Sequence, residues 1–487
     1  MMKQLLATKS FEHIDAEHRD SQLKRALGPW QLTLLGVGCT IGTGIFVLTG
    51  LEAAQHAGPA IVLSFVIAGI GSLFAGLCYA EFASMVPLAG SAYTYSYATL
   101  GEFAAWFVGW NLLLEYMFAV GTVAVGWARY FMKIFGHYHI DLLPAALTAA
   151  PFASPDTVHI VATGSMLNLP AMFIAIVAAT ICYIGISQSA FVNTIVVVIK
   201  VTVILAVIGF GASYINTANW HPFIPPNTGV PGQFGWSGVL RASGVIFFAY
   251  VGFDSVSTAA QEARNPQRDM PFGLLMGLTI CTLLYILMAA TLTGLMPYQQ
   301  LNDAAPVVAA MEAHPQLRWL SIFVSFGALA GLTSVILVMI LGQARILLAM
   351  SRDGLLPLGL GKVHPRFRTP YIATVLVGGF GALMAGLLPI DLLAELVSIG
   401  TLIAFMMVCV SVLVLRYTRP TLHRPFRVPW IWFSALGGVG FCGMMAARLG
   451  PGTWYRLIGW TLVGILVYFL YSRHHSKLRQ HAHPPAK

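Results

Sequence analysis

Four places in this 487-residue chain carry groups able to hold or move charge where an otherwise apolar sequence offers none. The first is GVGCTIGTGIF, in which Gly36, Gly38, Gly42 and Gly44 crowd around Thr40, Ile41 and Thr43. Glycines at this density let a backbone leave helical geometry and present its amides and carbonyls as ligands, while Gly38 and Gly42 also form a GxxxG pair suited to close helix packing. The spacing fits both readings. The second is GVIFFAYVGFDSVSTAAQEARNPQRDMP, where an aromatic cluster containing Phe248, Ala249 and Val251 runs through Gly252 and Phe253 to a carboxylate, Asp254. The third is Glu115 in GWNLLLEYMFAVG, a group that could carry a proton or accept hydrogen bonds from a neighbouring helix. The fourth is Lys200 in FVNTIVVVIKVTVIL, too central to reach water by extending its stem, so its amine must find a partner or give up its proton.

The elements that must position these groups are membrane-spanning helices. With 57% hydrophobic and 9% charged residues, against about 25% charge in a soluble globule, the surrounding solvent must be lipid. Runs of about 20 apolar residues, the length that crosses a bilayer, recur twelve times from Trp30 to Tyr471. The connections are polar or rich in Pro and Gly, and none is long enough to form a second domain. The first polar residues lack a secretory signal pattern and are expected to form a retained tail. Cys39, Cys78, Cys182, Cys281, Cys409 and Cys442 sit singly in apolar runs, as small buried hydrophobes. Most Lys and Arg near span ends, among them Arg264, Arg268, Arg352, Arg366, Arg416, Arg424 and Arg473, fall on one side of a twelve-span arrangement, which makes that side cytoplasmic. Topology and anionic lipid thus account for the net charge of +9, with no nucleic-acid partner required.

The glycine-rich run lies in the first span and the Asp254 run in the sixth, and inverted repeats of five helices place their discontinuous helices at such positions. At these residues the chain resembles a known family. GxxxGTGIFV and FFAYVGFDSVSTAAQEARNPQRDMP are similar to the amino acid-polyamine-organocation superfamily. With GQARILLAMSRDGLLP they look like the cationic amino acid transporter family and its bacterial members. The resemblance runs from Leu23 to about Tyr471. It implies an all-α integral membrane protein with a LeuT-like fold: a tail at 1–29, five-helix repeats at 30–215 and 237–416, two further spans at 428–472 and a tail at 473–487. It also implies a bacterial inner-membrane location with both termini in the cytoplasm.

An amino acid is a zwitterion, so both its charges need partners at mid-membrane. The resemblance assigns the carboxylate to backbone amides near Gly42, Thr43 and Gly44, helped by the positive end of the half-helix that starts there. It assigns the ammonium to carbonyls around Thr40, Phe248 and Val251. Phe248 is expected as a lid over the substrate and Asp254 as part of an inner gate, with aromatic packing and a polar helix contact as their respective alternatives. Similarity to proton-coupled relatives places Lys200 where sodium-coupled members of the fold bind a cation. That implies sodium-independent secondary transport of cationic or neutral amino acids, by proton symport through Lys200 and Glu115 or by exchange. A fixed ion pair is the alternative for Lys200. A sensor that binds without transporting would use the same residues.

No nucleophile pairs with a base at membrane depth and no HExxH, GxSxG or P-loop pattern occurs, which argues against a membrane-embedded enzyme. No cofactor or metal is expected. The His137/His139 and His481/His483 pairs sit in loops and tails, where such spacing is ordinarily solvated surface. Glu262, Arg264, Arg268 and Asp269 surround Asn265 and Pro266, residues that form a turn and could also pair across a gate.

Overall fold

The computed structural model describes residues 27–85, 91–137, 139–140, 142–154, 158–185 and 190–478, together with Thr8. Most of the two expected tails, including His481 and His483, lies outside the described residues.

Local sequence explains where the helices begin and end. Helix α1 (Pro29–Thr40) opens with proline at its first position, where no N–H is required, and Gln31 Oε1 accepts the Gly28 N–H at 2.7 Å. It stops because Ile41 turns extended, with ψ 103°. A second helical run, α2 (residues 44–57), follows the break and contains two π-helical turns. Then come α3 (Ile61–Met85), α4 (Ser91–Thr99), α5 (Glu102–His137), α6 (Leu169–Ile184) and α7 (Ala190–Ala212). Helix α6 shows both termination signals, an Asn168 side chain accepting the Ala171 N–H at 3.2 Å and Gly185 in the left-handed region at φ 75°.

The second half comprises α8 (Gly235–Ile246), the single turn α9 (Ser255–Thr258), α10 (Pro266–Leu295), α11 (Pro306–Glu312), α12 (Arg318–Arg352), α13 (Tyr371–Leu387) and α14 (Ile390–Thr418). Helices α15 (Ile431–Arg448) and α16 (Pro451–Val467) complete the bundle. Among the described residues nine helical runs are long and apolar enough to cross a bilayer, residues 44–85 counting as one, and α6 and α13 are shorter apolar helices. The short helices α4 and α11 lie in connections that the sequence marks only as polar breaks. A two-residue antiparallel hairpin, Phe152–Ala153 with Val161–Ala162, is the one pair of strands among the described residues.

The central stretch of α5 and the run from α8 through the second break are largely buried, whereas α7 and α16 are mostly not buried. Lys200 is therefore borne on a peripheral helix but is fully buried, as is Glu115 on α5. The chain entering α1 is strapped to the chain leaving α9: the Leu27 N–H donates to the Glu262 carbonyl at 2.9 Å and the Arg264 N–H to Leu27 at 2.8 Å.

At the basic end, buried Glu81 of α3 accepts two bonds from Arg416, at 2.6 and 3.0 Å, and one from the Val428 N–H at 2.8 Å. It also lies 3.3 Å from the buried guanidinium of Arg424. A charge removed from such a cluster leaves its partners buried and uncompensated, which costs about 3 kcal/mol. Glu81→Gln is expected to lower the thermal unfolding temperature in detergent clearly, and an unchanged transition would mean that the cluster is not tying α3 to α14.

Candidate functional site

The two helix breaks foreseen in the sequence meet each other inside the bundle. At the first, Ile41 keeps a bond to Val37, at 2.9 Å, but no partner is found among the described residues for the N–H groups of Gly42, Thr43 and Gly44. The four first amides of a helix lack internal acceptors, so these three point as a ready anion-binding group. The carbonyls freed on the other side of the break are engaged. Lys200 Nζ donates to Gly38 at 2.7 Å and to Ile41 at 3.0 Å. Its amine forms no ion pair with a carboxylate among the described residues, so the fixed-pair alternative has no partner there. The stem of Lys200 runs over Gly331 of α12, where an added Cβ would lie only 2.9 Å from its Cε.

The second break spans Phe247 to Asp254. A 3-10 turn, Phe247–Tyr250, ends at Val251, which is extended with ψ 134°, and Gly252 then adopts φ 107°. That conformation favours glycine, and the position is doubly restricted: a Cβ there would stand 2.8 Å from the Cys39 carbonyl oxygen of α1. Gly44 is held closer still, since its Cβ would fall 2.3 Å from Ala249 Cβ and 2.5 Å from Ala249 Cα. The glycines of the first span thus divide their duties. Gly38 packs against Val197 of α7, where a Cβ would meet Cγ2 at 2.5 Å, and Gly44 lets the two open backbones touch.

Tyr285 of α10 joins the breaks, its hydroxyl lying 2.9 Å from the Thr40 carbonyl and 2.7 Å from the Ala249 carbonyl. A phenol has one proton to donate, so it satisfies one of these acceptors at a time and leaves the other open to a cationic group. Thr40, expected to help hold an ammonium, has its carbonyl in this bridge, while its hydroxyl donates to Gly36 at 2.7 Å. The Phe248 carbonyl accepts from Val251 at 3.0 Å. Phe248 is almost wholly buried beside the break, whereas the ring of Phe253 packs edge-on against Tyr79 and Phe405 at 5.6 and 5.1 Å, among spans flanking the break.

The buried carboxylates lie on the same side of these breaks. Asp254 Oδ2 accepts from Tyr116 of α5 at 3.0 Å, and the same hydroxyl is 3.1 Å from Ser255. Glu115, the residue before Tyr116, is completely buried, and neither carboxylate oxygen has a hydrogen-bond partner among the described residues. Thr401 of α14, its neighbour, donates instead to the Val397 carbonyl at 2.9 Å. Gln343 of α12 is likewise buried with both amide atoms unmatched. Tyr285, Gly331, Tyr116 and Gln343 were not foreseen, and only Gln343, a polar residue within an apolar run, left a signal in the sequence. Among the described residues no group of three or more His, Cys, Asp or Glu is placed to hold a metal.

A mixed-charge cavity of about 460 Å³ lies at the end of α8 remote from the basic face, with Glu52, His56, Arg241, Asp391, Glu395 and Arg456 among its walls. Arg241 pairs with Glu395 at 3.3 Å and His56 with Glu52 at 2.9 Å.

Two interrupted helices whose open backbones meet in the centre of an apolar bundle define a membrane carrier with a backbone-lined site. The chain belongs to the amino acid permease family, whose profile matches residues 27–468, and this is a family of secondary transporters and not of enzymes. It is similar to the branched-chain amino acid permease BcaP of Bacillus subtilis, with 45% identity over 467 residues covering 96% of this chain and 97% of the relative. It is also similar to the methylthioribose transporter of the same organism, at 42% over 479 residues, 98% of this chain and 100% of the relative. The mitochondrial cationic amino acid transporter 3 of Arabidopsis thaliana is more distant, at 37% over 423 residues, 86% of this chain and 67% of the relative. A multi-pass protein of the cell membrane follows from the bacterial permeases.

Proposed function

We propose that this protein imports apolar amino acids of the branched-chain type by proton symport, without sodium, through alternating access. In this reading the chain crosses the bilayer twelve times, as two inverted five-helix repeats at 30–215 and 237–416 followed by spans at 428–472, and its tails lie in the cytoplasm. The substrate carboxylate sits on the amides of Gly42, Thr43 and Gly44, and its ammonium on carbonyls of the two breaks. Phe248 closes over it.

The observation that carries the proposal is the Lys200 amine on the Gly38 and Ile41 carbonyls, at 2.7 and 3.0 Å, with no carboxylate paired to it among the described residues. Those oxygens are ligands that a metal cation would otherwise use, and a fixed ammonium there makes a bound sodium ion both unnecessary and repelled. Apolar substrates are favoured by the walls beside the break, where Val335 packs on Gly42 and Met339 on Gly252. The branched-chain permease is a relative along nearly the full length of both chains. The methylthioribose transporter is too, and its substrate is the second candidate.

Uptake into proteoliposomes of radiolabelled leucine, isoleucine, valine, lysine, arginine and methylthioribose, with sodium and pH gradients varied independently, tests all of this. Accumulation of the branched-chain substrates under an inward proton gradient alone is expected. A sodium requirement would overturn the coupling, and uptake confined to preloaded vesicles would make the protein an exchanger. Binding without flux would make it a sensor.

A further inference from the structure

Where α1 meets the start of α10, a groove of about 990 Å³ opens on the outside of the bundle. Trp30, Phe272, Leu275, Met276 and Thr279 line it and Arg268 stands at its lip. Trp30 is 61% exposed and meets Phe272 edge-on at 5.3 Å, so the two rings build a wall and do not close the groove. Arg268, Phe272, Leu275, Met276 and Thr279 recur at helical spacing along one face of α10. Eleven residues separate the first from the last, a rise of about 16 Å. Half of a bilayer's hydrocarbon core is about 15 Å. The groove therefore has the length of one leaflet, apolar where acyl chains run and cationic where headgroups begin.

We propose that this groove is a binding site for one anionic phospholipid of the leaflet that meets the basic face, its phosphate on Arg268 and an acyl chain against Leu275 and Met276. The charge at the lip is suited to that ligand. Arg268 is exposed, and its guanidinium has no partner among the described residues. Arg264, also exposed, stands one turn earlier on the same rim. The carboxylate among the groove's lining residues, Asp269, is buried and turned to the Asn265 N–H, which it accepts at 3.1 Å. A guanidinium offers a phosphate two parallel donors. A soluble anion would gain nothing from the apolar length of the groove. The site spans the seam between α10 and α1, the helix that carries the carbonyls holding Lys200, so an occupied groove braces the inner half of the first span. The inference rests on membrane placement and not on the identity of the substrate.

Native mass spectrometry of the full chain released from phosphatidylglycerol-containing membranes tests it. The parent is expected to retain one phosphatidylglycerol more than Arg268→Gln, which removes the charge, and one more than Leu275→Trp, which fills the groove. Arg366→Gln, at an exposed arginine elsewhere on the basic face, should match the parent. Equal retention by parent and both variants would overturn the site, as would equal retention of phosphatidylcholine. No retained lipid on the parent would also overturn it.

Discussion

Vesicles carrying Lys200→Ala are expected to equilibrate substrate but not to concentrate it when a pH gradient is the only driving force. Every tenfold in concentration is worth about 1.4 kcal/mol, so a carrier moving one proton with each substrate under a gradient of one pH unit can accumulate about tenfold. Without the coupling group that ratio falls to one. In the proposed mechanism an amine, and not merely bulk, is required. Two backbone carbonyls at the end of α1, those of Gly38 and Ile41, point at Nζ, and burial removes water as a substitute donor. In the proposed cycle the protonated amine ties α7 to the broken helix; deprotonation leaves two donors for the two carbonyls but removes the charge that strengthens both bonds, so the tie weakens and α1 is released. Lys200→Met separates charge from packing, because an unbranched side chain can still run over Gly331 while donating nothing. Both variants should behave alike in accumulation, with Lys200→Met the more stable in detergent. Full pH-driven accumulation by both variants, or sodium-driven uptake by the parent, would remove Lys200 from the coupling mechanism.

The reasons that some of this site was legible in the sequence, and some was not, are physical. Lys200, Glu115 and Asp254 stood out because burying charge in an apolar helix is expensive, so each is a visible exception to its surroundings. The glycine run stood out for the same kind of reason. Its division of labour did not, since spacing alone cannot say that Gly38 abuts Val197 on α7 while Gly44 abuts Ala249 on the other break. That information belongs to tertiary packing. Tyr285 was invisible: within TLLYILM it resembles any membrane aromatic, and its role arises only because its hydroxyl reaches two carbonyls far away in the chain. Gly331 was equally silent, one small residue among many on α12, required by the path of a lysine stem from another helix. The nine long apolar runs among the described residues were readable from apolar length, whereas α4 and α11 were not, being too short and too polar in setting to register as spans.

Gly44 concentrates the remaining risk, and replacing it even by alanine is expected to weaken substrate binding about 100-fold, the order of loss that follows a displacement of about 1 Å in a positioned site. A Cβ at this position would lie 2.3 Å from Ala249 Cβ and 2.5 Å from Ala249 Cα, and the second contact is with backbone, which no side-chain rotation relieves. The two breaks must then separate. The amides expected to take the carboxylate belong to one of them and the carbonyls expected to take the ammonium belong to both, so separation mismatches the two ends of a zwitterion together. Gly44→Leu should abolish binding outright. Ala249→Gly placed in the Gly44→Ala background removes the 2.3 Å contact but leaves the one to Cα, so it should restore affinity only in part. Gly42→Ala is the informative contrast, because a Cβ there would be 3.4 Å from Val335, an accommodating side-chain contact, and affinity should stay within several-fold of the parent. Substrate-induced thermal stabilisation, measured on protein purified from the membrane fraction, distinguishes lost binding from failed insertion. If Gly44→Ala binds substrate as the parent does, the carboxylate does not sit where the two open backbones touch.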